Sequence, residues 1–421
     1  MKLRSVTTFI LLTVFGLITY AQQMATLPID PKVKYGKLEN GLTYYIRHNA
    51  FPKNRAEFYI AQNVGSILEN DSQRGLAHFL EHMAFNGSKN FPGKSMLNYL
   101  ESNGVKFGTD VNAYTSFDET VYNISNVPVN REGIVDSCLL ILHDWSNAIA
   151  LEDKEIDEER GVIREEWRTR TNANMRILEK LIPQVFAGSQ YANRMPIGTM
   201  DIVMNFPYQT LKDYYHKWYR PDLQGIIIVG DIDADKTEKK LKEIFNAIPK
   251  PENAAERIYY TVPDNKEPII AIAKDKEATG SQVTVYYKHK PMTKELKATI
   301  AGIAGIYLKS VTSMMLNDRL KEISEKPNAP FMSAYSYDAN FIVSKTMDAF
   351  TTMAVSKEGE TQKALKALLQ ETERVNRFGF TESEYERAKA NLLSMIESMY
   401  KEREKQKNNS YVEEYVSHFT D

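Results

Sequence analysis

Two histidines and a glutamate lie within five residues of one predicted helix, and these residue types bind metals and move protons. In GLAHFLEHMAF, residues 75–85, His78 and His82 are four residues apart, and Glu81 comes directly before the second histidine. An α-helix turns by about 100° and rises by about 1.5 Å per residue, so the two imidazoles lie one turn apart on one face. The spacing predicts that both rings can reach a single ion. H-x-x-E-H is also the inverted form of the zinc motif H-E-x-x-H.

The motif needs a third ligand before it predicts a catalytic zinc site. An isolated histidine on a mixed helix is usually a hydrogen-bonded structural residue. The chain has seven histidines. Among sequences of this composition, roughly one in a hundred would contain the five-residue pattern by chance. A catalytic zinc has three protein ligands and one position open to water. A carboxylate elsewhere in the chain therefore has to complete the set.

The acidic segment EDKEIDEERGVIREEWRTR, residues 152–170, offers that carboxylate. Its many glutamates are also compatible with a solvated helix face, but helical phase separates them. Glu159 and Glu166 are seven residues apart, which places them two turns apart on one stripe, with aliphatic residues between them. We expect Glu166 to be the third ligand and Glu159, about 10 Å along the same helix, to support the site without binding the metal. Glu165 lies about 100° away from Glu166 around the helix.

The composition is that of an ordinary globular protein and argues against nucleic acid as a partner. The chain has 421 residues, of which 43% are hydrophobic and 26% are charged, and its formal net charge is −2. Lysines and arginines are interspersed with acidic residues and form no basic block, so nucleic-acid binding is not expected. The length allows two or three domains.

The first 21 residues predict a cleaved export signal. Lys2 and Arg4 precede an apolar run over residues 6–20, and a small residue, Ala21, stands at the expected cleavage position. The alternative is a transmembrane anchor, but this run has about 15 residues and a membrane-spanning helix needs about 20. We expect an exported protein, periplasmic or secreted, with no stable transmembrane anchor after the signal is removed.

The remaining chain predicts an α+β fold in which one arrangement of strands and helices occurs twice. Strands and helices alternate until the polar, proline-containing segment PKPENAAER, after which the order begins again with an apolar segment, residues 268–275, that is typical of a strand. Each copy predicts a mostly antiparallel sheet covered by helices. The second copy is shorter, so we expect that it is incomplete and is completed by further chain or by another polypeptide. The expected parts are a first domain over 27–251, a linker over 252–257 and a second domain over 258–421.

Five segments together resemble the M16 metallopeptidases, the family of pitrilysin, insulin-degrading enzyme and mitochondrial processing peptidase, and most closely its bacterial PqqL-like branch. The resemblance extends over residues 27–421. It implies one zinc ion held by His78, His82 and Glu166, with Glu81 as the general base and Glu159 as a further acid of the site. The gap between the histidines and Glu166 is several residues longer than in the better-known members, so Glu165 stays an alternative ligand. The segments are RGLAHFLEHMAFNGSKNFP, DVNAYTSFDETVY, EERGVIREEW, MPIGTMD and IIVGDID.

The resemblance also implies how a substrate is bound. In the family, the segment corresponding to VNAYTS is an edge strand that pairs with the backbone of a peptide, which assigns substrate binding to Asn112, Ala113 and Tyr114. Without the resemblance, the amino-acid pattern is equally compatible with a strand in the interior of the sheet.

The resemblance implies an exported zinc endopeptidase or oligopeptidase that acts on unfolded peptides. Family members enclose peptides between two halves of two domains each, and this chain corresponds to one half, so a second M16 half is an expected partner. Two alternatives remain open. One is a non-catalytic peptide-binding or scaffold subunit on the same fold, and the other is one subunit of a heterodimeric processing peptidase.

Overall fold

A computed structural model describes residues 26–421, so the predicted export signal lies outside the described residues. The described chain divides into two compact units that interleave along the sequence. The larger unit comprises residues 31–281, 340–349 and 394–421, and the smaller unit comprises the described residues up to Asp30 together with 282–339 and 350–393. The domain limits expected from the sequence stay a prediction. Within residues 26–421, no helix combines the length and the apolar character that crossing a membrane requires.

The described residues form nine strands and thirteen α-helices. The strands are β1 (Val33–Lys37), β2 (Thr43–His48), β3 (Arg55–Gln62), β4 (Val111–Thr115), β5 (Thr120–Pro128), β6 (Gln224–Gly230), β7 (Ser281–His289), β8 (Ser333–Asn340) and β9 (Asp348–Ser356). The helices are α1 (Leu76–Met83), α2 (Ser95–Ser102), α3 (Ile134–Asn147), α4 (Asp153–Arg170), α5 (Ala173–Val185), α6 (Met200–Asn205), α7 (Tyr208–Trp218), α8 (Ala234–Phe245), α9 (Lys294–Lys297), α10 (Ile300–Ser324), α11 (Thr361–Phe378), α12 (Glu382–Glu402) and α13 (Asn408–Thr420).

The larger unit is built on a six-stranded sheet in the order β1-β2-β6-β3-β5-β4. Neighbouring strands are antiparallel except β2 and β6, which are parallel. The apolar strand β6, QGIIIVG, is buried at every residue, because a central strand is covered on both of its faces. Val412 and Val416 of α13 pack against Tyr45 and Ile227 of the sheet. Sheets covered by helices confirm the α+β class expected from the sequence.

The β-rich segment that contains VNAYTS forms a hairpin of β4 and β5. The register runs from Val111 opposite Ile124 to Thr115 opposite Thr120. Within the described residues β4 has a strand neighbour on one side alone, so it is an edge strand of the six-stranded sheet. The internal position that the sequence left open is excluded by this strand order.

The smaller unit contains a three-stranded sheet in the order β7-β9-β8. Leu316 and Leu320 of α10 and Leu368 of α11 pack with Phe331 and Ala354 in its core. The helices of this unit thus bury an apolar face against the sheet, as the sequence pattern predicts for the second copy.

The apolar segment at residues 268–275 forms no strand in the described part of the chain, contrary to the prediction. Ile270 and Ile272 are 80% and 72% exposed. Alternating apolar residues indicate a strand only where a neighbouring strand supplies backbone hydrogen-bond partners. Such partners depend on tertiary structure, which the local pattern does not contain.

Two glycines allow the loop MPIGTMD to pack against the start of helix α1. Gly75 and Gly198 have φ angles of +103° and +69°, a region that L side chains rarely adopt. A Cβ atom on Gly198 would lie 2.3 Å from the Cα atom of Gly75 and 2.4 Å from the carbonyl oxygen of Arg74. This contact leaves no room for a side chain and fixes the loop against the helix that carries the histidine motif.

Gly198→Ala should destabilise the protein by roughly 1–3 kcal/mol more than Gly133→Ala, because overpacking against backbone adds to the conformational cost. Gly133 has a similar φ of +75°, and a Cβ there meets nothing within 4 Å. Both variants carry the cost of about 1–2 kcal/mol for a left-handed L residue. Urea unfolding followed by circular dichroism measures both free energies of unfolding. Equal losses in the two variants would contradict the close packing at residue 198.

Candidate metal centre

Helix α1 presents the histidine motif from a buried position. Glu69 holds its first turn, since the Glu69 carboxylate accepts hydrogen bonds from the backbone N–H groups of Gly75 and Ala77 at 3.1 and 2.8 Å. Burial raises the pKa of Glu69 to about 8, although these backbone hydrogen bonds act to lower it. Sequence reasoning missed Glu69 because it lies outside the residues that normally cap a helix. The apolar residues of the helix are fully buried: Leu76, Phe79, Leu80 and Met83.

Helix α4 packs against α1 and brings Glu166 to the two histidines. The Glu166 Oε1 atom lies 3.6 Å from His78 Nε2, and Glu166 Oε2 lies 3.1 Å from His82 Nε2. The side chains of His78, His82 and Glu166 are 10%, 20% and 14% exposed, respectively. Arg170, one turn further along α4, approaches Glu166 Oε1 at 2.7 Å from the solvent side. The three predicted ligands are therefore together, and Glu166 is the glutamate of this segment that faces both rings.

The alternative ligand Glu165 points away from the histidines. Its Oε2 atom accepts a hydrogen bond from Arg168 Nε at 2.9 Å, and both of these side chains are more than half exposed. The 100° between consecutive helical residues explains the difference, since only one of the two glutamates can face α1. The residue that reaches the rings is the one on the stripe shared with Glu159.

Glu159 contacts His82 from the side opposite to Glu166. Its Oε1 atom lies 2.7 Å from His82 Nδ1, and its Oε2 atom accepts a hydrogen bond from Asn86 Nδ2 at 2.5 Å. Lys94 Nζ in turn donates to Asn86 Oδ1. An acceptor at Nδ1 keeps the proton on that nitrogen and leaves His82 Nε2 free for a metal. Asn86 and Lys94 were not predicted, although Asn86 follows His82 by one helical turn and this spacing could have indicated it.

The electrostatics of the site favour a bound cation. Hydrogen bonds with His78 and His82 hold the pKa of Glu166 well below its usual range, although burial opposes them. Burial by itself would lower the pKa of His82, but the hydrogen bonds to Glu159 and Glu166 outweigh it and raise the pKa to about 9. Burial acts to raise the pKa of Glu159, and the hydrogen bonds with His82 and Asn86 outweigh it, so the net change is downward. Two ionised carboxylates thus face the imidazoles, and a cation neutralises their charge.

The donor atoms fit a zinc ion in type and in spacing. His78, His82 and Glu166 each offer one ligand atom, and these atoms lie within 4.8 Å of one another. Ligands at about 2.0 Å from a tetrahedral zinc lie about 3.3 Å apart, which falls between the two nitrogen–oxygen distances of 3.1 and 3.6 Å. Two imidazoles and one carboxylate also leave the fourth position of a tetrahedral site open.

The remaining predicted site residues are Glu81 on α1 and three residues of the strand β4. Glu81 is 8% exposed, and its Oε2 atom accepts a hydrogen bond from Thr115 Oγ1 at 2.5 Å. Asn112, Ala113 and Tyr114 lie on the edge strand β4, which packs against α1. The Tyr114 side chain is 47% exposed. Thr115 was not predicted as a site residue, although it belongs to the same VNAYTS segment.

Comparison with known proteins identifies the family. The family model described as Insulinase (Peptidase family M16) matches residues 40–196, and the model described as Peptidase M16 inactive domain matches residues 205–392. The chain is 30% identical to the crystal structure of the first half of the periplasmic protease PqqL from Escherichia coli, with a TM-score of 0.82 over 93% of this chain and 83% of that chain. This chain belongs to peptidase family M16.

Curated M16 relatives are longer than this chain. It is 34% identical over 384 residues to the probable zinc protease PqqL of Haemophilus influenzae. The aligned region covers 90% of this chain and 41% of that protein. It is 32% identical over 374 residues to the probable zinc protease PqqL of Escherichia coli. This alignment covers 89% of this chain and 40% of that protein. The chain therefore spans about two fifths of the length of these relatives.

Glu166→Gln should lower zinc affinity by more than about 100-fold, whereas Glu165→Gln should leave it near the wild-type value. The two substitutions are chemically identical and lie one residue apart on α4, but only the first removes a charge that faces the imidazoles. Competition with a chromophoric chelator measures the affinity. Thermal unfolding with excess zinc gives a second measure, because an ion that binds only the folded state raises its stability. Loss of zinc from the Glu165 variant alone would reassign the third ligand.

Glu159→Ala should weaken zinc binding by about 10- to 100-fold, the usual effect of removing the partner that orients a ligating histidine. Glu158→Ala is the matched control, since Glu158 is exposed on the same helix and lies 3.6 Å from the ammonium group of Lys154. Zinc affinity is measured for both variants in the same titration. Equal affinities in the two variants would show that the contact between Glu159 and His82 does not support the metal site.

Proposed function

We propose that this M16 chain is the zinc-binding half of an endopeptidase or oligopeptidase that hydrolyses unfolded peptides. The observation that carries the proposal is the convergence of His78, His82 and Glu166, with Glu81 on the same helix as the histidines. Two histidines and a glutamate are the zinc ligands of several metallopeptidases. The names of the matched relatives, probable zinc proteases, support the same chemistry.

Each residue of the site has a separate role in the proposed reaction. His78, His82 and Glu166 would hold the zinc ion, which when bound lowers the pKa of a water molecule to about 7 and polarises the scissile carbonyl. Glu81 accepts the proton of the attacking water and passes it to the leaving amine. Glu159 keeps His82 in the orientation that directs Nε2 to the metal.

The edge strand β4 is the proposed docking site for the substrate. An unpaired edge can add an extended peptide as a further strand through backbone hydrogen bonds, which hold many sequences in the same way. Asn112, Ala113 and Tyr114 lie on this strand, next to the helix that carries Glu81. A folded protein rarely offers a free extended segment, so this mode of binding selects unfolded peptides.

A second M16 half, on further chain or on a separate polypeptide, is the proposed partner. The matched Escherichia coli structure is described as the first half of PqqL and shares its fold with this chain. The same description calls that protein periplasmic, and the pattern of residues 1–21 of this chain predicts an export signal. We therefore assign the protein to the periplasm or the exterior of the cell.

Glu81→Gln should retain one zinc ion per chain and lower the hydrolysis rate by about 10²- to 10⁴-fold, because the amide cannot accept the proton. Hydrolysis of an internally quenched unfolded peptide measures the rate, and elemental analysis measures the zinc. Glu101→Gln, at an exposed site on α2, is the matched control and should behave as wild type. Hydrolysis by Glu81→Gln at the wild-type rate would exclude Glu81 as the base. A zinc-loaded wild type that, together with a second M16 half, binds peptides without cleaving them would favour the non-catalytic alternative.

A further inference from the structure

The carboxylate of Glu81 is held by a residue of the peptide-docking edge. Thr115, the last residue of β4, donates its hydroxyl to Glu81 Oε2 at 2.5 Å. Within residues 26–421, no other side chain donates a hydrogen bond to this carboxylate. The facing hydroxyl of Thr120 does not compete for Glu81, because it donates to the carbonyl oxygen of Val64 at 2.9 Å. One oxygen of Glu81 is therefore fixed by β4, and the other is left to accept a proton.

The backbone of β4 shows which of its residues can pair with a peptide. In an antiparallel strand both backbone groups of one residue point to the same side, and the side alternates along the strand. The N–H of Ala113 points away from β5, since it donates to the side-chain oxygen of Asn112 at 2.9 Å. The backbone groups of Val111 point to the same side as those of Ala113. They are already occupied, because the Val111 N–H donates to the carbonyl oxygen of Lys106 and the Val111 carbonyl oxygen accepts from the N–H of Gly108.

Ala113 and Thr115 are therefore the residues of β4 whose backbone groups face the open edge. A peptide strand that pairs with Ala113 continues along the edge to Thr115, two residues further on. The backbone of Thr115 then contacts the peptide while its side chain contacts Glu81. Thr115 is therefore the residue that would connect the docked peptide to the general base.

We propose that Thr115 is a positioning residue that ties Glu81 to the docked peptide, so that an extended substrate paired with β4 also holds the general base in place. This inference rests on the proposed peptidase function and deepens it. It adds Thr115 to the residues on which turnover depends, and it replaces Asn112 and Tyr114 by Ala113 and Thr115 as the backbone partners of the peptide. The side chain of Asn112 then covers the Ala113 N–H until a peptide displaces it.

Thr115→Val should lower kcat by about 10- to 100-fold, the range expected when a catalytic group loses its alignment. KM should stay within about twofold, since valine keeps the branched shape that suits a strand and leaves the backbone edge intact. Thr115→Ser, which keeps the hydroxyl, should retain kcat to within about threefold. Zinc content and melting temperature, measured on every variant, should stay at the wild-type values.

Two further measurements do not depend on turnover. In the Glu81→Gln background, the affinity for a fluorescent unfolded peptide should be unchanged by Thr115→Val, because the side chain of Thr115 acts on the base and not on the peptide. In crystals of the zinc-loaded Thr115→Val variant, the Glu81 carboxylate should be turned away from its wild-type orientation or occupy several orientations.

Several results would overturn the proposal. It fails if kcat is unchanged in Thr115→Val, if Thr115→Ser is as impaired as Thr115→Val, or if peptide affinity falls as far as kcat does. If the valine variant does not fold, Thr115→Ala compared with Thr115→Ser separates loss of the hydroxyl from loss of structure in the same way. If wild type hydrolyses no peptide even with a second M16 half present, the proposed function fails, and the orientation of Glu81 in the crystals still decides whether Thr115 holds it.

Discussion

The packing of α4 against α1 is the contact on which the candidate site depends. It places two glutamates, Glu159 and Glu166, on opposite sides of the His82 ring. Carboxylates are costly to bury unless each finds a charged or hydrogen-bonded partner. Both glutamates find such partners in the imidazoles, and a carboxylate that faces two imidazoles is suited to a divalent ion. The helix contact thus creates the ligand set and its electrostatic character together.

Helix α1 is held at both ends by residues that do not belong to the motif. Glu69 satisfies backbone N–H groups at its start, and the loop at Gly198 packs against the same end with no space for a side chain. Beyond its last turn, Asn86 connects Glu159 to Lys94. A metal site needs ligands that are in place before the ion arrives, since every degree of freedom lost on binding reduces the affinity. These contacts supply that order to a helix of only eight residues.

Two glutamates with similar burial are expected to take different roles because their partners differ. Glu159 is bonded to a histidine ring and an amide, so both of its oxygens are occupied. Glu81 is bonded to one neutral hydroxyl and keeps an oxygen available. The sheet contributes to this division, since the hydroxyl that holds Glu81 comes from the edge strand. In the proposed mechanism, Glu159 therefore supports the metal site while Glu81 transfers the proton.

Periodicity in the amino-acid sequence was enough to predict several features of the fold and of the candidate site. The 3.6-residue turn placed His78 and His82 on one face and separated Glu166 from Glu165, and the alternation of helices and strands predicted the α+β class. Tertiary structure decided that β4 is an edge strand and that residues 268–275 find no partner strand in the described chain. It also decided the contacts of Glu69, Asn86, Lys94 and Thr115. Local periodicity fixes the direction of a side chain relative to its own element, whereas a contact between elements depends on how the whole chain packs.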